Sequence, residues 1–399
     1  MNPETTQPPP VLGAPSTASY TLRDLLLYFL RLGTLGFGGP IALAGHMQRD
    51  LVEERNWISK QDYLEGLALA QLAPGPLAAQ LAIYLGWVRA GVIGATLVSI
   101  AFILPSFLMV LAISALYVRF GGLSWMQGAF YGIGAAVIAI IARSASKLMR
   151  MTLGRDWLLW LLFLISAVVT ASTEKEIVWL FVLCGVVSLA AKALPRSGQL
   201  NSTLLFLSYP AWLISGIQGP ASARTLWQVG LYFAEAGAFI FGSGLAIVPF
   251  LYGGVVGQYH WLNERQFLDA VAVAMITPGP VVITVAFIGY IVAGAVGATV
   301  AALGVFQPCY LFVIIPAKYF RRYAKNAYVK AFVDGVTAAA IGAIAGAVYV
   351  LARRSLIDVP TVLIAVFTLT ILMFTKKIPE PVTILAAGVV GILLHGKVG

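Results

Sequence analysis

Leu69–Gly91 reads LAQLAPGPLAAQLAIYLGWVRAG, an apolar run whose middle, Pro74-Gly75-Pro76, no continuous helix would choose. The same interruption returns at Ala274–Gly294, AMITPGPVVITVAFIGYIVAG, with Pro278-Gly279-Pro280. A proline inside a helix removes a hydrogen bond and clashes one turn back, at about 3 kcal/mol. In lipid the freed carbonyls have no water to turn to, so such a break survives only where protein or an aqueous cavity covers it. Each motif is therefore expected to mark two half-helices meeting in the interior. Pro76 and Pro280 suit the first turn of the second half-helix, where the missing N–H would be unpaired anyway. Gly75 and Gly279 allow close approach and unusual backbone angles.

The membrane setting comes from composition. Of 399 residues, 60% are hydrophobic and 11% charged, with a mean hydropathy of +0.89; a soluble chain carries roughly 25% charged residues. Apolar runs near the ~20 residues needed to cross hydrocarbon recur along the chain, among them Val92–Tyr117, Val296–Ile315 and Val336–Leu351. The expected class is an all-α polytopic membrane protein. A net charge of +10 fits basic cytoplasmic loops and implies no nucleic-acid partner. Cys184 and Cys309 lie inside apolar segments and read as packing residues.

Outward from the two breaks, the chain repeats itself. YFLRLGTLGFGG from Tyr28 matches YFAEAGAFIFGS from Tyr232, 204 residues on. Trp57 matches Trp261 at the same offset, and YLGWVRAGVIGAT from Tyr84 matches FIGYIVAGAVGAT from Phe287 at 203. The loop after Val92–Tyr117 holds only Arg119, and the next holds Arg143, Lys147, Arg150 and Arg155. In the second copy the alternation flips, with Lys318, Arg321, Arg322, Lys325 and Lys330 first, then Arg353 and Arg354. Basic residues mark cytoplasmic loops, so the copies are expected to be inverted in the membrane. The reading is a tail at 1–19 with no signal peptide, a first repeat at 20–200, a linker at 201–225 and a second repeat at 226–399. Residues 203–218 are either an additional crossing or a surface segment.

Two bare helix N-termini, one per copy, would face each other from opposite sides, each with roughly half a positive charge. That attracts an anion, and a tetrahedral oxyanion suits free backbone amides; a packing kink is the plain alternative. A second pair of glycine breaks, around Gly38 and Gly39 and around Gly242 and Ser243, permits either backbone exposure or close helix packing. Candidate anion contacts are Pro74, Gly75, Pro76, Pro278, Gly279 and Pro280, with Gln71, Thr277 and Arg31 as donors. Glu235 stands at the repeat position of Arg31, so the two either pair or act separately, Glu235 as a proton carrier; both would otherwise snorkel. His46 offers a proton-coupling group or belongs to a solvated turn. No cofactor, metal or catalytic motif stands out, and no enzyme is expected. A passive anion or proton channel is the competing function.

These motifs resemble the chromate ion transporters in their long, two-domain form. The resemblance rests on FLRLGTLGFGGP at Phe29–Pro40, QLAPGPLAAQLAIYLGWVRAG at Gln71–Gly91, FGSGLAIVPFLYGGVV at Phe241–Val256 and WLNERQFLDAVAVAMITPGPVVITVAFIGY at Trp261–Tyr290. It implies proton-driven export of chromate, with sulfate as a structural mimic, across the bacterial inner membrane. It implies two homologous halves of opposite orientation, and the partners expected are the oxyanion, protons and the lipid bilayer. A homodimer is one assembly such a chain allows.

Overall fold

The computed structural model describes residues 19–37, 39–120, 124–173, 178–192, 215–216, 219–220, 222–239, 247–318, 327–356, 358–374 and 380–398. The tail at 1–18, most of the linker including 203–214, Gly38, Gly242 and Ser243 lie outside the described residues. Helices α1 to α7 span Leu22–Leu35, Gly39–Met47, Lys60–Leu72, Leu77–Phe120, Ser124–Thr152, Trp157–Thr173 and Val178–Lys192. Helices α8 to α14 span Ala223–Phe239, Ile247–Tyr252, Glu264–Ile276, Thr284–Ala317, Ala327–Ser355, Val359–Phe374 and Glu380–Val398. The second set repeats the first in order. Even the irregularities repeat: π-helical stretches follow α2 and α9, at Gln48–Glu54 and Gly253–Gln258, and end near Asn56 and His260, both with φ of 51°.

Each repeat opens with two helical hairpins that enter and leave by the same face. In the first, α1 runs in and α2 with its π-helical stretch runs out. Tyr28 accordingly donates to Asp50 at 3.3 Å, and Tyr20 stacks on Trp57 at 5.3 Å. In the second, α3 and the Leu77–Arg89 arm of α4 lie antiparallel, with Tyr84 donating to Glu65 at 3.3 Å. Ser59 caps α3 and Asn263 caps α10 through side-chain bonds to the third helical amide, which fixes where these arms begin. Both arms are 13 residues long, about 20 Å, against the ~30 Å of the hydrocarbon core.

The proline-glycine-proline turns are thus tips of re-entrant hairpins, not breaks within crossing helices. Pro76 and Pro280 stand one residue before their helical turns rather than inside them. The continuous helical span Leu77–Phe120 hides a reversal at Ala90 and Gly91, repeated at Ala293 and Gly294. Gly91 and Gly294 have φ of 57° and 61°, a region that glycine enters without steric penalty. The chain folds back so tightly there that a Cβ on Gly86 would meet the Gly94 carbonyl, and one on Gly289 the Gly297 carbonyl.

After the reversal, α4 and α11 cross the membrane side by side and antiparallel. The Thr96 and Tyr310 hydroxyls meet at 2.6 Å, although Tyr310 is the repeat partner of Phe107, far along the other helix. Equivalent helices running in opposite directions make the repeats inverted. The halves also interlock. Gly132 of α5 lies against Ala387 and Gly391 of α14, while Gly335 of α12 lies against Cys184 and Ser188 of α7, the same contact 203 residues on. Small residues permit this close helix approach, the usual basis of packing where lipid removes any hydrophobic drive. Segments at Leu77–Phe120, Trp125–Arg150, Val281–Ala317 and Ala331–Arg353 are long and apolar enough to cross. The shorter α6 and α13 turn Leu164, Val168, Leu363 and Phe367 outward, an apolar belt suited to lipid.

Candidate functional site

Both hairpin tips are buried, and each is seated on the opposite repeat. Gly279 donates its amide to the Gly36 carbonyl at 2.9 Å, and a Cβ there would collide with Ser106 Oγ of α4. Ser106 in turn donates to the Gly33 carbonyl at 3.2 Å. On the other side Gly75 packs on Cys309 of α11, the repeat partner of Ser106, and Cys309 donates to the Gly237 carbonyl at 3.5 Å. Gly75 and Gly279 have φ of 139° and 98°, angles that L side chains rarely adopt.

The two tips approach from opposite faces without touching. Cys309 sits beside Tyr310, level with Thr96, and Ser106 is ten residues further along α4, on the order of 15 Å. The two tips are therefore set at different depths. At the first, Leu77, Ala78 and Ala79 open α4 in buried surroundings, where a helix leaves its first amides without intrahelical partners. At the second, the Gly279 amide is already bound to Gly36.

Of the proposed donors near the tips, Gln71 is exposed and turned away. Thr277 is buried, and its hydroxyl donates to the Val273 carbonyl at 2.6 Å. The residue the sequence reading missed is Gln80. It is fully buried, its Nε2 donates to the Pro74 carbonyl at 2.6 Å, and its Oε1 is without a partner among the described residues. The available signal was a lone amide in the apolar run that follows Pro76.

Arg31 and His46 are brought together. They line a cavity of about 320 Å³ with Tyr28, Arg49, Asp50 and Arg55, and its floor includes Gly36. Arg49 is tied to Asp50 at 3.0 Å and to Glu54 at 3.5 Å, and its Nη2 contacts His46 Nδ1 at 3.3 Å. Arg55 lies over the Trp57 ring at 4.6 Å and the Tyr28 ring at 5.4 Å. Among the described residues neither Arg31 nor Arg55 has an ion-pair partner; Arg55 is covered by the Trp57 and Tyr28 rings, whereas Arg31 has no such ring contact. Gly39 begins α2 at the rim of this break.

The second repeat fills the matching space with rings. Phe250, Gly253, Gly254 and Tyr259 stand where the first has His46, Arg49, Asp50 and Arg55. Tyr232 stacks on Phe250 at 5.4 Å, and Tyr259 on Trp261 at 4.5 Å. Glu235 is exposed on α8 and forms no ion pair with Arg31. The pseudo-twofold relation holds in the backbone, while among the described residues the charged side chains of this cavity have no charged counterparts at Phe250, Gly253, Gly254 and Tyr259.

The chromate transporter family model matches residues 23–189 and again residues 227–392, which together take in most of the chain. The chain belongs to the chromate transporter family. Among proteins similar to it, the chromate transport protein of Cupriavidus metallidurans is 59% identical, over 98% of both chains. The probable chromate transport protein of Synechococcus elongatus is 55% identical over 95% of this chain and 97% of its own. The chromate transport protein of Pseudomonas aeruginosa is 32% identical over 94% and 93%. No solved structure matches. Within this chromate transporter family chain, the double match falls on the two inverted repeats.

Proposed function

We propose that this chain is a secondary active transporter that exports chromate from the cytoplasm across the bacterial inner membrane, coupled to protons, with sulfate competing as a tetrahedral dianion. The observation that carries the reading is the cavity at Arg31 and His46, whose floor is the Gly36 backbone that binds the second tip. Arg143, Lys147 and Arg150 in the C-terminal part of α5, a stretch that reads as a loop in the sequence, and Arg155 just beyond it support a cytoplasmic orientation for the cavity's face. Residues 20–200 and 226–399 are the two transport repeats, joined by 201–225.

Chromate enters the cavity and meets Arg31, which has neither an ion-pair partner nor a covering ring among the described residues. A hydrogen bond to a charged group contributes about 1.5–3 kcal/mol, so several are needed to offset dehydration of a dianion. Because proline carries no N–H, the turns Pro74-Gly75-Pro76 and Pro278-Gly279-Pro280 offer the amides of Gly75 and, once parted from Gly36, of Gly279, with Thr277 beside the second turn; the sequence motifs around Gly38, Gly39, Gly242 and Ser243 are further candidate contacts. Rocking of one repeat's hairpins against the other's crossing helices would part Gly279 from Gly36 and pass the anion outward.

The test is chromate uptake into everted membrane vesicles. Accumulation above the external concentration that collapses when the proton gradient is dissipated supports coupled export. Uptake that only equilibrates would mark a passive channel and contradict the proposal.

A further inference from the structure

Asp269 lies in the second turn of α10, an arm of a re-entrant hairpin, and is 3% exposed. Its Oδ2 accepts a hydrogen bond from the Tyr117 hydroxyl at 2.7 Å. Among the described residues it has no ion pair. Arg265, one turn earlier on the same helix, donates to the Gln127 carbonyl at 3.1 Å. Among the other groups on packed elements, Tyr131 of α5 donates to Asp358. Glu264 accepts from Tyr252 at 3.2 Å, and Glu380 of α14 pairs with Arg143 of α5 at 3.4 Å. Beside Tyr117 lie the Phe130 ring of α5 and the Phe287 ring of α11. An ionised carboxylate so enclosed, with one hydroxyl as partner, is costly, and such groups inside membranes serve function by default.

The repeat sharpens the point. Asp269 corresponds to Glu65 of α3, which is half-buried and accepts from Tyr84. Tyr84 belongs to Glu65's own hairpin. Its counterpart is Phe287, whose ring packs on Tyr117 at 5.1 Å. In the second repeat the hydroxyl is thus supplied by α4 of the first repeat. The Asp269–Tyr117 bond bridges a hairpin of one repeat to a crossing helix of the other, the interface that must slide for the molecule to change its open face.

We propose that Asp269 carries the coupled proton and that Tyr117 is its positioning residue. The assignment rests on the proton-coupled reading above. With the interface closed, the proton remains bonded to a carboxylate oxygen. When Tyr117 moves away and water enters, that O–H bond breaks and the proton passes to water, leaving the carboxylate to take one up on return.

The experiment uses the full chain in liposomes and measures two quantities: chromate accumulation driven by a pH gradient, and chromate–chromate exchange at equal pH. Asp269→Asn, which preserves shape and the tyrosine contact, is expected to cut accumulation by about a hundredfold, the scale of a lost proton-transfer group, while exchange continues. Asp269→Glu is expected to restore accumulation with a displaced pH midpoint, and Tyr117→Phe to displace the midpoint with accumulation retained. Wild-type accumulation in Asp269→Asn would overturn the assignment. So would loss of exchange together with accumulation in a variant that remains monodisperse in detergent, since that marks a structural role. A wild-type protein that concentrates chromate without response to the pH gradient would remove the coupled reading itself, and the assignment with it.

Discussion

At Gly33 the helix α1 touches α4 so closely that a Cβ would run into the Phe102 carbonyl, and Gly237 meets Val305 in the same way. Backbone atoms cannot step aside as a flexible side chain can. Gly33→Val is therefore expected to destabilise the protein by about 2–4 kcal/mol, the scale of overpacking in a close-packed site. Gly257→Ala, which faces open space, should leave the melting temperature in detergent unchanged. Arg31 leads to a second expectation. Arg31→Gln should raise the chromate concentration at half-maximal uptake about tenfold, the equivalent of one lost charge-assisted contact. Unaltered half-saturation would remove Arg31 from the binding path. Residue identity showed that Arg31 and His46 stand near a glycine break. It did not show that Gln71 faces away while Gln80 faces in, because that depends on how two arms of a hairpin rotate about each other.

At the scale of elements, the inverted repeat was legible because glycine, proline and tryptophan recur at a constant offset and the basic loops alternate. Re-entrance was not. Leu77–Phe120 is uniformly apolar, and a reversal carried by Ala90 and Gly91 leaves no polar mark in such a run. Only the 13-residue arms, too short to cross, betray it once the turns are taken as tips. Cysteine labelling checks this in a background lacking Cys184 and Cys309. Lys60→Cys and Val92→Cys, at the mouth of one hairpin, should react with an impermeant maleimide from the same face. Glu264→Cys and Ala295→Cys should react from the other. Opposite faces for Lys60 and Val92 would mean that the segment crosses.

The whole molecule is two halves that cannot be complete alone. The packing of α5 on α14 and of α12 on α6 and α7 is exchanged between repeats, as are the seats of both hairpin tips. Residues 1–200 expressed alone should be degraded or aggregate, and co-expression with residues 201–399 should restore a complex that co-purifies and accumulates chromate. A stable, monodisperse first half would contradict the interlocked packing. The exchange also connects the charged cavity, lined by first-repeat residues, with the buried Asp269 of the second repeat, since the cavity's Gly36 holds the Gly279 tip and Asp269 is held by Tyr117.

The most direct test of the account is where chromium sits. Crystals soaked in chromate and measured at the chromium absorption edge should show an anomalous peak in the cavity between the Arg31 guanidinium and the Gly36–Gly279 contact, and sulfate should displace it. A peak confined to the lipid-facing helices, or an empty cavity in a protein that still transports chromate, would contradict the account.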